Sequence, residues 1–129
     1  MKITVSQANG RIPVTIFHLH GDLVEEEPLH REAAQAVANG SQAILLDLTN
    51  VPYISSAGLR AIQHVFELLQ QSSGVDKDTM MRGIAAGTFS APNLKLLNPT
   101  KNAAKALSVS GYDMFLKIFT NVDEAIRSF

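Results

Sequence analysis

AILLDLTNVPYISSAGL, residues 43 to 59, decides how this chain folds. Ala43-Ile44-Leu45-Leu46 is a short apolar run that stops at Asp47, with the length and β-leaning content of a strand buried on both faces. Thr49, Asn50 and Pro52 supply turn chemistry, and Pro52 also biases Val51 away from helical geometry. Beyond Tyr53-Ile54 and two serines, Leu59, Ile62, Phe66 and Leu69 recur at intervals of three and four with Val65 beside them. That period predicts an amphipathic helix with one apolar stripe, starting at Ser55 or Ser56. The first turn of a helix carries unpaired N–H groups and the positive end of the macrodipole. A serine there can cap the helix, and a phosphate placed on it would be received by the same amides. Spacing alone leaves both roles open.

The 129 residues suit one domain with one core, expected to span 1–129. A composition of 46% hydrophobic and 18% charged residues is globular, and a formal net charge of −1 leaves no basic footprint for nucleic acid. An effect on transcription would therefore run through proteins. Zero cysteines exclude disulfides and thiolate zinc sites and fit a reducing compartment. Lys2, Thr4, Ser6, Gln7 and Asn9 interrupt any secretory apolar region, and no run approaches the ~18 residues of a membrane span. The expectation is a soluble, cytoplasmic protein with no membrane span.

Lys2-Ile3-Thr4-Val5 alternates as an edge strand, and Asn9-Gly10 signals a turn with Gly10 free to take positive φ. A hairpin arm follows over Ile12 to His20, with Val14, Ile16, His18 and His20 on one face and Thr15, Phe17 and Leu19 on the other. Neither side is purely polar, which predicts a central strand. His18 and His20 have a spacing that could put two imidazoles on one metal, but two further ligands are lacking, and His30 and His64 fall on separate predicted helices. No metal site is expected. Glu25-Glu26-Glu27-Pro28 opens a helix that runs to about Ala38, where Asn39-Gly40 stops it. Residues 72–92, with Gly74, Gly83 and Gly87 and no sustained period, read as a loop insertion, its apolar Met80, Met81, Ile84 and Phe89 folding back on the body or meeting a partner. Asn93 to Leu97 reads as a strand, Thr100 as the cap of a helix ending at Ser110-Gly111, Phe115 to Phe119 as the last strand, and Asn121 as the cap of a final helix.

Asp47-Leu48-Thr49-Asn50-Val51-Pro52-Tyr53-Ile54-Ser55-Ser56-Ala57-Gly58-Leu59 resembles the signature of STAS domains of the anti-sigma factor antagonist type. Gly21-Asp22-Leu23 resembles the family's motif closing the second strand, with Val24 where a final Asp is usual. The resemblance covers the chain from the first strand to the end, apart from 72–92. It implies an α/β fold: a mixed, mostly parallel sheet of about five strands with an N-terminal β-hairpin, alternating with about four helices. Aligning Gly58-Leu59 with the family's Gly-Leu puts Ser56 on the phosphoacceptor position, Ser55 on the preceding Asp and Ala57 on the following Ser or Thr, with Ser55 as the alternative acceptor. The implied partner face is Gly21, Asp22, Ser55, Ser56, Ala57, Gly58 and Leu59. The implied partners are an anti-sigma factor that is also a serine kinase and a serine phosphatase, with no cofactor and no enzymatic activity of its own.

The alternative within the same fold is a non-phosphorylated scaffold or subunit of a larger assembly, such as a transporter. Two other classes fit less well. A two-component receiver would use Asp47 as phosphoacceptor, but Ser6-Gln7 stands where the acidic pair for Mg²⁺ belongs. A serine hydrolase built on Ser56 lacks the Gly-x-Ser-x-Gly elbow, Ile54 replacing its first Gly.

Overall fold

The computed structural model describes residues 1–73, 77–87 and 90–129. Strands β1 (Lys2–Asn9) and β2 (Pro13–His20) form the antiparallel hairpin, with Asn9 opposite Pro13. Pro13 lies at the first residue of its strand, where a missing N–H is tolerated. Gly10 does not take positive φ. Its need is space: a Cβ there would sit 2.7 Å from the carbonyl oxygen of Ile126, in the C-terminal helix. Then follow α1 (Glu27–Ala38), β3 (Ile44–Asn50), α2 (Ser56–Ser73), α3 (Lys77–Ala86), β4 (Leu94–Leu97), α4 (Lys101–Ser110), β5 (Ile118–Phe119) and α5 (Val122–Arg127). The five strands lie in sequence order, with β2 to β5 mutually parallel.

That order explains the layering. Parallel crossovers are right-handed, so strands added always in one direction place every crossover helix on the same face. Residues of α1, α2, α3 and α4 accordingly share one core with Phe17, Leu19, Ile44, Leu46, Leu48, Leu94 and Leu96. Among the described residues, the opposite face is covered by α5 and the chain end after it, with Ala125, Ile126 and Phe129 packing on Val14, Ile16, Leu45 and Leu97. The rest of that face carries Ser6, His18, Asp47 and Thr49, all at least partly exposed.

Several boundaries differ from the expectations. β3 does not stop at Asp47 but continues to Asn50, because Asp47 stands in register with His18 and its carboxylate is satisfied there. The segment 72–92, expected as a loop, carries α3, on which Met80 is buried in the core and Ile84 packs against it, while Met81 is 54% exposed. Helix-weak Gly83 is tolerated because burial of that apolar side outweighs a propensity cost of about 1 kcal/mol. Gly74 to Asp76 and Phe89 lie outside the described residues. The last strand is reduced to Ile118–Phe119, since Tyr112–Met114 form a 3₁₀ turn after the left-handed Gly111. Thr100 and Asn121 cap α4 and α5 as expected, accepting from the Ala103 and Glu124 amides.

Candidate functional site

Two loops meet where β2 and β3 end. Leu23 and Ile54 form an isolated parallel bridge: the Leu23 amide donates to Tyr53 O at 2.9 Å and the Ser55 amide to Leu23 O at 3.0 Å. The Gly21 amide donates to Asn50 O at 3.0 Å, and Gly21 has φ +105°, a left-handed conformation that suits glycine. Gly21, Asp22 and the start of α2 are thereby brought together.

The two serines separate into two roles. Ser55 is half-buried and is the cap: its hydroxyl accepts from the Gly58 amide at 3.2 Å, and its carbonyl accepts the first helical bond, from the Leu59 amide at 2.9 Å. Ser56 is exposed, is the first residue of α2, and its hydroxyl makes no hydrogen bond among the described residues. A nucleophilic oxygen is thus presented to solvent at the positive end of an 18-residue helix.

The other residues of the implied partner face divide by burial. Gly21 and Asp22 are exposed and Ala57 half-buried. Leu59 packs against the core, and Gly58 is buried where a Cβ would fall onto the Leu23 carbonyl oxygen. Gly58 and Leu59 therefore hold the loop rather than display it. Tyr53, 52% exposed, and Val24, 43% exposed, flank the Leu23–Ile54 bridge and give the face an apolar component that their unremarkable spacing hid. Arg60, one turn beyond Ser56, is tied at 2.9 Å to Glu26, the N-cap residue of α1, a pairing across 34 residues with no local signature. The same helix pair brings His30 and His64 together, ring centroids 5.5 Å apart, although they are far apart in sequence. His18 instead meets Asp47 at 2.8 Å, and among the described residues no three candidate ligands converge on a metal position.

A groove of about 610 Å³ lies under the hairpin and the end of α1, lined by Gln7, Thr15, Phe17, Gln35 and Ser41 among others. It opens at the start of β2, the end of the sheet opposite Ser56, so it takes no part in this face. Among the described residues no helix is long and apolar enough to cross a membrane.

A family model described as STAS domain matches residues 5–75. The Bordetella bronchiseptica protein BtrV, assigned by name as an anti-sigma factor antagonist, is 37% identical over 76 residues, which cover 57% of this chain and 63% of that protein. Among solved structures, a Thermotoga maritima protein assigned to the same antagonist class superposes with TM-score 0.68 at 20% identity, covering 95% of this chain and 90% of that one. The phosphorylated form of the Bacillus cell fate determinant SpoIIAA gives TM-score 0.64 at 16% identity over 97% and 96% of the two chains. At these identities the structural likeness speaks for the fold.

Proposed function

The chain belongs to the STAS domain family, and from that premise we propose that it is a regulatory binding protein of the anti-sigma factor antagonist kind. It docks an anti-sigma factor that is also a serine kinase, is released when that kinase phosphorylates Ser56, and is restored by a serine phosphatase. The protein is then a substrate and a ligand, not a catalyst, and it acts in the cytoplasm with no cofactor.

The observation that carries this reading is the division between the serines. Ser55 holds the helix, which leaves the Ser56 hydroxyl exposed and, among the described residues, unbonded, at the loop junction that also exposes Asp22, Tyr53 and Val24. A phosphate on Ser56 would add about −1.5 to −2 charges to a docking face without disturbing the cap that supports it. The relative BtrV, with its antagonist name, supports the choice of partner class. The test is a binding titration against the serine kinase and anti-sigma factor homologues made by the same cell. Ser56→Asp is expected to weaken one of them on the order of tenfold or more, while Ser56→Ala binds like the parent. Equal binding by all three proteins overturns the switch.

The second reading, a STAS scaffold within a larger assembly and never phosphorylated, draws on Ser55 and Val24, which stand where the resemblance expects acidic residues. It requires Ser56 to stay unmodified while the same face remains in use.

A further inference from the structure

The uncovered part of the sheet carries a Ser–His–Asp arrangement, and it is not built on Ser56. On β1 the Ser6 hydroxyl lies 2.9 Å from Nε2 of His18 on β2, whose Nδ1 lies 2.8 Å from Oδ2 of Asp47 on β3. The other carboxylate oxygen accepts from the Thr49 amide at 3.1 Å and the Thr49 hydroxyl at 2.6 Å, and Asn98 donates to that hydroxyl at 3.2 Å. Asp47 is therefore fixed on both oxygens. An ionised carboxylate can only accept, so in the neutral imidazole the proton sits on Nδ1 and the Nε2 lone pair faces the Ser6 O–H. Nucleophile, base and orienting acid stand in the order that activates a serine. Ser6 is exposed on the edge strand, so an acyl group can reach it.

We propose that Ser6 is an acyl-acceptor site, activated by His18 and oriented through Asp47, that takes one acyl group from an activated donor such as an acyl phosphate or thioester. In the step, the Ser6 Oγ–H bond breaks and its proton passes to His18 Nε2. A bond forms between Oγ and the acyl carbon, and the bond from that carbon to the leaving group breaks, its electron pair departing with the phosphate or thiolate. Nothing in the relay supplies donors for a developing oxyanion, so the product is a stable ester on Ser6 and not rapid turnover. The reading is independent of Ser56.

The probe is p-nitrophenyl acetate, with release of p-nitrophenolate followed optically and the modified residue mapped by mass spectrometry. One acetyl group on Ser6 is expected, lost in Ser6→Ala, retained in Ser108→Ala, and formed about 10²-fold more slowly in His18→Asn. Free imidazole added to His18→Asn should restore acetylation of Ser6, a rescue that a merely structural histidine would not show. Because His18→Asn could loosen the sheet, Asp47→Asn serves as a second variant and should also slow the reaction with Ser6 in place. Acetylation confined to lysines or the N-terminus, or a Ser6 rate indifferent to both variants, overturns the proposal.

Discussion

The Gly58 amide donates to the Ser55 hydroxyl at 3.2 Å, so the residue standing in place of an acidic one still does an acid's capping work. Ser55→Ala should cost about 1 kcal/mol in urea denaturation, whereas Ser55→Asp should hold stability within a few tenths, since both side chains are good caps. A loss with Ser55→Asp as large as with Ser55→Ala would contradict the assignment of the cap.

Gly58 offers an opposite sign to that expected from propensity. Replacing a helical glycine by alanine ordinarily gains up to about 1 kcal/mol. Here the new methyl would fall onto the backbone carbonyl of Leu23, which is held by the Leu23–Ile54 bridge and cannot swing aside like a side chain. Gly58→Ala is expected to destabilise by about 2 kcal/mol or more and to shift the Gly21 and Asp22 amide resonances. A stabilised variant would mean that the two loops are not clamped together.

Asp47 ties stability to acid pH. Burial, the largest single influence, raises its pKa, but hydrogen bonds from Thr49 and His18 and the charge of the imidazole together outweigh it, so the carboxyl lies below its ordinary 3.8. The folded protein thus binds that proton less readily than the unfolded chain. Its stabilisation is present above the ordinary value and is lost as pH falls through the folded-state value. Asp47→Asn should flatten the loss of stability on acidification below 3.8, and identical slopes for variant and parent would contradict the ion pair.

At the other end of the same face, Lys95 clasps the C-terminal helix. Its Nζ donates to Ser128 O at 2.8 Å and to Ser128 Oγ at 3.0 Å, with the Phe119 and Phe129 rings 5.8 and 5.0 Å away. Lys95→Met keeps most of the stem and removes the donor. Hydrogen exchange should then show the α5 amides opening with about 1–2 kcal/mol less protection, the rest of the sheet unchanged. Unaltered α5 protection would show that the apolar contacts alone seat the helix.

Legibility in the sequence followed the range of the interactions. The strand-to-helix junction at 43–59, the Thr100 and Asn121 caps and the Asn39-Gly40 and Ser110-Gly111 stops depend on neighbours within a few positions, and all were readable. The extension of β3 past Asp47 depends on His18, 29 residues away, and the pairing of His30 with His64 on the packing of two helices. α3 was hidden because its glycine masked the period and only tertiary burial of Met80 and Ile84 supports it. At the site, Ser55 and Ser56 could be seen to share a helix start, but which one caps is a matter of one hydrogen bond. The Ser6 relay joins three strands and has no local motif at all.

Phosphosite mapping of the intact protein, purified from the cells that make it under conditions that engage and release its partner, tests the central claim most directly. The expected result is a single phosphate on Ser56, its occupancy changing with the signal while Ser55 stays unmodified. Ser56 unmodified under every condition, or the phosphate found on another residue, would contradict it.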